Sequence, residues 1–193
     1  GNLIATTDTT NSQFTLYRPE ADGGEYLKYT YNSNNTWTMT GKDGRTYTFG
    51  ESSTSRQDDP NDSSKVYKWM LSKISDVYGN EIQYTYIKDS GQIYPSQILY
   101  TYHPSSIAVH TVNFTYTTPA NYGSTIYNSA FPVTTYKLLD LIVVNTTIGT
   151  DVTTDTYDFE YTNSQFLKQK NLTSIQKTYN FPQSSYNQNF SGY

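Results

Sequence analysis

The stretch "DVYGNEIQYTYIKD", residues 76–89, joins a turn motif to a strand pattern and decides the fold of the chain. Asp76 supplies a carboxylate that can accept hydrogen bonds from a turn backbone, while Gly79 and Asn80 tolerate the positive φ angles of tight turns. Tyr84 and Tyr86 follow at alternate positions, so both rings lie on one face of an extended strand. The pattern predicts a tight turn followed by a β-strand with an aromatic face.

The combination of two alternating aromatic residues and a polar turn recurs along the chain. It is found in "YTYNSNN" (29–35), "YTFGESS" (47–53), "YTYIKDSG" (84–91), "YTYHPSS" (100–106), "FTYTTPA" (114–120) and "FEYTNSQ" (159–165). Neighbouring antiparallel strands bring such pairs together, and each ring contact contributes roughly 0.2–1 kcal/mol. The spacing is irregular, which excludes a solenoid of fixed period. We therefore predict one aromatic sheet face that contains Trp37, Trp69, Tyr84, Tyr86, Tyr100 and Tyr102.

The composition indicates an all-β protein. The chain has 193 residues, of which 21 are Tyr, and only 16 % of its residues are charged. Tyr and Thr favour half-buried pleated surfaces, whereas stretches rich in Ala, Leu, Glu and Lys are scarce. Short turns between successive alternating segments predict a mainly antiparallel, meandering sheet of about ten or eleven strands.

Individual segments refine this prediction. "TWTMTGKDGRTYTFG" (36–50) is typical of a hairpin, with Asp43 and Gly44 in its turn. Residues 51–64 lack periodicity, which favours a polar, mobile loop, and residues 65–76 favour one strand or a short helix. Pro95 predicts a bulge or an edge position. The expected organisation is a polar lead-in (1–12), a single β domain (13–180) and a polar C-terminal tail (181–193).

Charge and cysteine content exclude several functional classes. The net charge is −4 and the basic residues are scattered, so we expect no nucleic-acid partner. The longest apolar run, 138–144, is interrupted by Asp140 and is too short to span a membrane. The chain has no Cys, which excludes disulfides and zinc–thiolate sites.

Few residues are candidates for chemistry. His103 and His110 are separated by an odd number of positions, which favours polar roles at strand ends over a shared metal site. Asp58, Asp59 and Asp62 lack the spacing of a calcium loop, so a solvated loop is favoured over a calcium site. No nucleophile, phosphate-binding or metalloprotease motif is present. We expect a protein without a cofactor or metal and without catalytic activity; a glycosidase-like carboxylate pair stays as the third alternative.

Trp37 and Trp69 permit two interpretations. Large rings at strand positions contribute most when they are buried, which favours a place in the core. A row of exposed rings would instead form a platform for sugars. A carbohydrate- or receptor-binding β module, an adhesin, is therefore the alternative function, with a cell-surface glycan as its partner.

The motif Asp-x-x-Gly-Asn-x-Ile-x-Tyr-x-Tyr at 76–86 resembles the YD-repeat (Rhs) family, whose members repeat a turn-and-strand unit of this kind. The sequence is most similar to the SpvB-type N-terminal region of the B component of insecticidal Tc toxins. The resemblance extends in order over about residues 14–180. It is carried by "YRPE" (17–20), "TWTMTGKDGRTYTFG" (36–50), "WMLSKISDVYGNEIQYTY" (69–86), "YPSQILYT" (94–101), "TVNFTYTTP" (111–119) and "YKLLDLIV" (136–143).

This resemblance implies a sheet that is twisted or curled as one section of a β-shell. The implied function is a non-catalytic structural scaffold in a secreted or cell-surface Rhs/YD-repeat protein, with the shell of a toxin complex as a candidate parent. The implied partners are other sections of the same shell or another protein chain. A chain of 193 residues is too short to enclose a cargo by itself.

Overall fold

The computed structural model describes residues 2–6, 14–105, 110–149, 151–164 and 169–180. Strands dominate this part of the chain, and the only helix in it is a short 3₁₀ turn at Ser53–Ser55. The strands are β1 (Leu3–Ala5), β2 (Phe14–Pro19), β3 (Lys28–Asn32), β4 (Thr36–Thr40), β5 (Thr46–Phe49), β6 (Arg56–Asp59), β7 (Asp62–Trp69), β8 (Leu71–Ser75), β9 (Glu81–Asp89), β10 (Gln92–Tyr102), β11 (His110–Thr117), β12 (Ser124–Ile126), β13 (Val133–Thr135), β14 (Leu138–Ile148), β15 (Asp151–Asn163) and β16 (Lys170–Asn180).

Twelve strands form one antiparallel sheet in the order β1-β2-β3-β4-β5-β8-β9-β10-β11-β14-β15-β16. The pairs β6–β7 and β12–β13 form two small sheets of their own, inserted between β5 and β8 and between β11 and β14. The predicted all-β, antiparallel fold is confirmed. There are more strands than expected, and the additional strands include members of these two hairpins and β1. The main sheet is open, with β1 and β16 at its two ends.

The strand register separates the main sheet into two chemically different faces. Paired residues share a face, and one row of pairs is almost entirely apolar, namely Tyr17, Tyr29, Met39, Tyr47, Ile74 and Ile82. The adjacent row is mostly polar and runs through Leu16, Thr30, Thr38, Thr48, Lys73, Gln83, Leu99, Thr111, Asn145 and Thr154. We call the side with the first row the ring face and the side with the second row the polar face.

The prediction of a mobile loop at residues 51–64 is wrong. This segment contains the 3₁₀ turn, β6 and the start of β7, and the side chains of Ser55, Gln57 and Asp58 are buried. Hydrogen bonds replace the missing apolar contacts: the Ser72 hydroxyl lies 3.0 Å from Ser55 Oγ, and Gln57 Nε2 donates to the Gly91 carbonyl at 2.8 Å. Buried polar groups are tolerated when they are paired in this way.

Residues 65–76, predicted as a single strand or a short helix, are divided between two sheets. β7 belongs to the small sheet with β6, and β8 belongs to the main sheet. Met70 separates them, since its N–H donates to the Ser55 carbonyl at 2.7 Å and its carbonyl accepts from the Gly50 N–H at 2.9 Å. The backbone of Met70 therefore connects the small hairpin to the edge of β5.

Pro95 and part of the predicted lead-in lie within the described residues. The register between β9 and β10 shifts between Pro95 and Gln97, where the sequence predicts a bulge or an edge position. Residues 3–5 of the predicted lead-in form β1. Residues 7–12 of the lead-in, residues 107–109 of a predicted strand and the predicted tail 181–193 lie outside the described residues.

The raised pKa of Tyr116 leads us to expect a specific loss of stability at alkaline pH. Its hydroxyl donates to the Pro95 carbonyl at 2.8 Å, and burial, followed by the neighbouring Tyr94, raises the pKa of Tyr116 to about 12. The unfolded chain has a tyrosine pKa of about 10. The folded state therefore holds this proton more tightly, and its contribution to stability is complete below pH 10 and is lost as pH rises towards 12. We expect thermal melts of Tyr116→Phe to lose less stability than wild type over this range; an equal loss would contradict the assignment.

Candidate functional site

The turn at Asp76–Asn80 is closed by its own carboxylate. Asp76 Oδ1 accepts the backbone N–H groups of Tyr78 at 2.8 Å and Asn80 at 2.9 Å, and Oδ2 accepts the Asn80 side-chain amide at 2.7 Å. Gly79 has φ +87° and donates its N–H to the Asp76 carbonyl at 3.3 Å. The Asn80 amide and these N–H groups hold the pKa of Asp76 below its usual range. The carboxylate is thus fixed in the ionised form that closes the turn.

Gly79→Val is expected to lower the free energy of unfolding by more than about 1 kcal/mol, because a β-branched residue is strained at positive φ. An added Cβ would also lie 3.3 Å from His103 Nε2. Thermal melts measure the effect. Gly23→Val is the matched control, since Gly23 has no positive φ and open space around its Cβ position. An unchanged melting midpoint for Gly79→Val would show that the turn does not depend on this conformation.

The predicted turn with Asp43 and Gly44 lies against the first one. Gly44 has φ +77°, and a Cβ at this position would lie 2.5 Å from Val77 Cγ1. The Asp43 carboxylate accepts the Arg45 N–H at 3.1 Å, and Gly44 N–H donates to the Gly41 carbonyl at the same distance. The two turns that the sequence singled out therefore meet at one end of the sheet, with Gly44 making room for Val77.

Trp37 and Trp69 meet in one aromatic cluster on the ring face. The Trp37 ring centroid lies 5.1 Å from that of Tyr17, 4.9 Å from that of Tyr31 and 6.3 Å from that of Trp69. Trp69 Nε1 also donates to the Asn35 carbonyl at 3.0 Å. Because Trp69 belongs to β7, this cluster fastens the β6–β7 hairpin over the ring face.

Tyr84, Tyr86 and Tyr100 lie on the ring face as well. Tyr86 is buried, its hydroxyl donates to the Leu71 carbonyl at 2.6 Å, and burial raises its pKa. Tyr84 pairs with Ile98, two residues before Tyr100. Tyr102 departs from the predicted row. Thr101 has φ +56° and the register shifts between Leu99 and Tyr102, so Tyr102 pairs with Glu81 on the polar face.

The ring face is only partly covered by the rest of the described chain. Tyr86 is buried on this face. The other buried hydrophobic residues of the described chain are Tyr94, Phe131 and Val133, and Tyr94 pairs with Ile87 on the opposite side of the sheet. The Tyr94 hydroxyl accepts the backbone N–H of Tyr136 at 3.2 Å, which fixes the segment around β13 against β10. Most other rings of the face are half-buried. The β6–β7 hairpin covers only part of the ring face, so half-buried rings remain accessible beside it.

The charged candidates are engaged in structural contacts. Asp58, expected in a solvated loop, is 5 % exposed and pairs with the ammonium of Lys88, while Asp59 and Asp62 face Lys65. The sequence gives no sign of the Asp58–Lys88 pair, since the two residues are 30 positions apart and neither is in a recognisable motif. Within the described residues, no group of three His, Asp or Glu side chains could hold a metal ion.

Both histidines accept hydrogen bonds from backbone N–H groups. His103 Nδ1 accepts the Ser105 N–H at 3.1 Å, and His110 Nδ1 accepts the Thr147 N–H at 3.0 Å. The His110 ring also packs against Tyr100, with 5.3 Å between centroids. Among the described residues, no helix has the length and apolar character needed to cross a bilayer.

Comparison with solved structures gives the same fold in toxin proteins. The N-terminal domain of effector protein SpvB from Salmonella typhimurium strain LT2 superposes with a TM-score of 0.70 at 18 % identity, over 92 % of this chain and 74 % of that one. The TcdB2–TccC3–Cdc42 crystal structure matches with a TM-score of 0.67 at 16 % identity, and the Photorhabdus luminescens Tc holotoxin pore with 0.67 at 15 %.

The present chain covers very different shares of these proteins. It spans 12 % of the matched TcdB2–TccC3–Cdc42 chain and 11 % of the matched holotoxin chain, with 92 % of its own length aligned in each case. Comparison with curated protein sequences gives no match. The family model described as Salmonella virulence plasmid 65kDa B protein matches residues 5–146, most of the chain. The chain belongs to the SpvB family.

Proposed function

We propose that this chain is a non-catalytic structural section of a secreted or cell-surface protein of the Rhs/YD-repeat type, and that a toxin-complex shell is its parent assembly. The observation that carries the proposal is the open twelve-stranded sheet with its apolar ring face. In the part of the chain that the structure describes, the strand at each end of this sheet has a neighbour on one side only. Such a sheet is completed by further protein, because exposed edges and apolar faces are both sites of association.

The two ends of the sheet differ. β1 has three residues, which is short for an edge that could template another strand. β16 has eleven residues, and its Leu172 and Ile175 side chains are 50 % and 53 % exposed. β16 is therefore the end at which we expect another strand to be added.

Charged side chains on both faces of the main sheet favour a structural role over a catalytic one. Glu81 Oε1 lies 3.6 Å from Lys73 Nζ. The other carboxylate oxygen, Glu81 Oε2, accepts a hydrogen bond from Gln83 Nε2 at 2.8 Å. Lys177 lies 3.3 Å from Asp155 and over the rings of Tyr157 and Tyr179. A carboxylate held by an ammonium in this way is positioned to stabilise the sheet rather than to transfer protons.

Ile175→Lys is expected to weaken self-association of the isolated chain at least about tenfold, because a charge in the middle of an edge strand opposes strand addition. Light scattering over a concentration series measures the effect. Ile126→Lys is the matched control, since Ile126 is 50 % exposed but lies on the small β12–β13 sheet.

Two outcomes would contradict the proposal. Equal association of both variants would exclude assembly through β16. Glycan-array binding by a strict monomer, lost on substitution of Trp37 or Trp69, would favour the adhesin function instead.

A further inference from the structure

A cavity of about 340 Å³ lies beside β2 and β3, near the β1 end of the main sheet. Its wall includes Thr6, Arg18, Asp22, Tyr26, Leu27 and Lys28. Small-molecule sites commonly have volumes of about 300–1,000 Å³. The cavity therefore has the size of a ligand site, and its wall combines cations, rings and apolar side chains.

Two cations face each other across the strands that form this cavity. Tyr17 of β2 pairs with Tyr29 of β3, so the next position places Arg18 opposite Lys28. Like charges that are directly opposite destabilise a sheet. Among the described residues, no ion pair joins Arg18 or Lys28 to a carboxylate. An anion between them would remove the repulsion and would be held from both sides.

The carboxylate in the cavity wall is already engaged. Asp22 Oδ1 accepts the backbone N–H groups of Gly24 at 3.0 Å, Glu25 at 3.0 Å and Tyr26 at 3.2 Å. These three hydrogen bonds hold the 22–26 loop in shape and occupy Oδ1 of the carboxylate. The two cations are therefore the groups most available to an incoming ligand.

The same loop holds an aromatic ring outward at the rim of the cavity. Tyr26 has φ +54° and is 73 % exposed. A bulky residue at positive φ is strained and is found where the surrounding structure enforces it, often at binding sites. Among the described residues, the buried Thr6 hydroxyl in the wall has no hydrogen-bond partner. The strained Tyr26 and the Thr6 hydroxyl therefore line the same cavity as the two cations.

We infer that this cavity binds an acidic sugar residue. The carboxylate or sulfate group of the sugar lies between Arg18 and Lys28, where the guanidinium and ammonium donate charge-assisted hydrogen bonds. The apolar face of the sugar ring packs on the exposed Tyr26 ring. Nucleic acid is a poorer fit, because a chain with net charge −4 and two clustered cations lacks the extended positive surface that a polyanionic backbone requires.

Calorimetric titration of the full chain with four probes tests this inference. We expect binding of hyaluronan-derived oligosaccharides, which carry carboxylates, and of heparin-derived oligosaccharides, which also carry sulfates. Neutral chitooligosaccharides and inorganic sulfate should bind at least about tenfold more weakly, because each offers only part of the recognised chemistry. Equal affinity for inorganic sulfate would reduce the site to a simple anion site, and equal affinity for the neutral sugar would exclude a role for the cations.

Three variants locate the binding. Arg18→Gln and Lys28→Gln should each lower the affinity for the acidic oligosaccharide about tenfold or more, because each removes a charge-assisted contact. Lys42→Gln, an exposed lysine in the β4–β5 turn, is the matched control and should leave affinity unchanged. Equal losses for all three variants would show unspecific attraction to surface charge and would overturn the inference.

Tyr26→Gly separates binding from stability. Glycine adopts φ +54° without strain, so this variant should melt at or above the wild-type temperature and still lose most of its sugar affinity. Unchanged affinity would exclude the ring from the site. The Ile175→Lys variant of β16 should keep full sugar affinity, so that failure of the edge proposal and failure of the sugar proposal give different results.

Discussion

Gly50→Ala is expected to lower the free energy of unfolding by about 3 kcal/mol, because the added methyl group is both strained and overpacked. Gly50 has φ +71°, where a side chain costs about 1–2 kcal/mol. Its added Cβ would also overlap Trp69 Cδ1 and lie 3.1 Å from both Trp69 Cγ and Arg56 Cγ. Overpacking of this kind costs a further 1–3 kcal/mol or so.

The overlap cannot be relieved cheaply, because Trp69 is fixed on several sides. Its indole N–H donates to the Asn35 carbonyl and its ring packs against Trp37 and Tyr31. Moving Trp69 would loosen the contact that holds the β6–β7 hairpin on the ring face.

Chemical denaturation measures this prediction, and Gly24→Ala is the matched control. Gly24 also has positive φ, at +90°, but has nothing within 4 Å of its Cβ position. The control should cost only about 1 kcal/mol, which is the strain alone. Equal destabilisation of the two variants would show that the contact with Trp69 is easily relaxed.

Lys88→Met is expected to destabilise the protein by about 3 kcal/mol, because it leaves the buried Asp58 carboxylate without its ammonium. Asp58 is 5 % exposed and Lys88 28 %, and Lys88 also donates to the Ser53 carbonyl at 3.3 Å. The pair joins β9 of the main sheet to β6 of the small one. Loss of the Lys88 ammonium should therefore loosen the β6–β7 hairpin from the main sheet and leave the charge of Asp58 uncompensated.

Two further variants test the physical reason. Lys65→Met removes an ammonium that is 65 % exposed and lies 3.1 Å from Asp62, and should cost at most about 0.5 kcal/mol. Asp58→Asn combined with Lys88→Met removes the uncompensated charge and should restore more than half of the lost stability. A double variant as unstable as Lys88→Met alone would show that packing, rather than charge, accounts for the loss.

Features that depend on near neighbours in the chain are visible in the sequence. The Asp76–Asn80 turn needs only five adjacent residues, and its carboxylate, glycine and amide all act within that turn. Alternation likewise predicts the ring pairs of β3 and β9, because side chains two positions apart share a face wherever the strand is regular.

Features that depend on distant contacts were not predictable. Residues 51–64 look like a loop because they lack apolar periodicity, yet Ser55 and Gln57 are buried through hydrogen bonds to Ser72 and Gly91, whose positions only the fold brings near. Tyr102 moves to the polar face because Thr101 adopts a positive φ. A β-branched residue rarely adopts this conformation, so the sequence does not predict it.

The order of the strands in the main sheet also has a kinetic consequence. Every neighbour in that sheet is the next strand along the chain, except where β8 follows β5 and β14 follows β11. Loop closure between such neighbours is fast, and folds built from local contacts generally form quickly. The sheet can therefore grow by successive hairpins as the chain emerges from the ribosome, and the two slowest additions should be β8 and β14, each of which must wait until the small hairpin before it has formed.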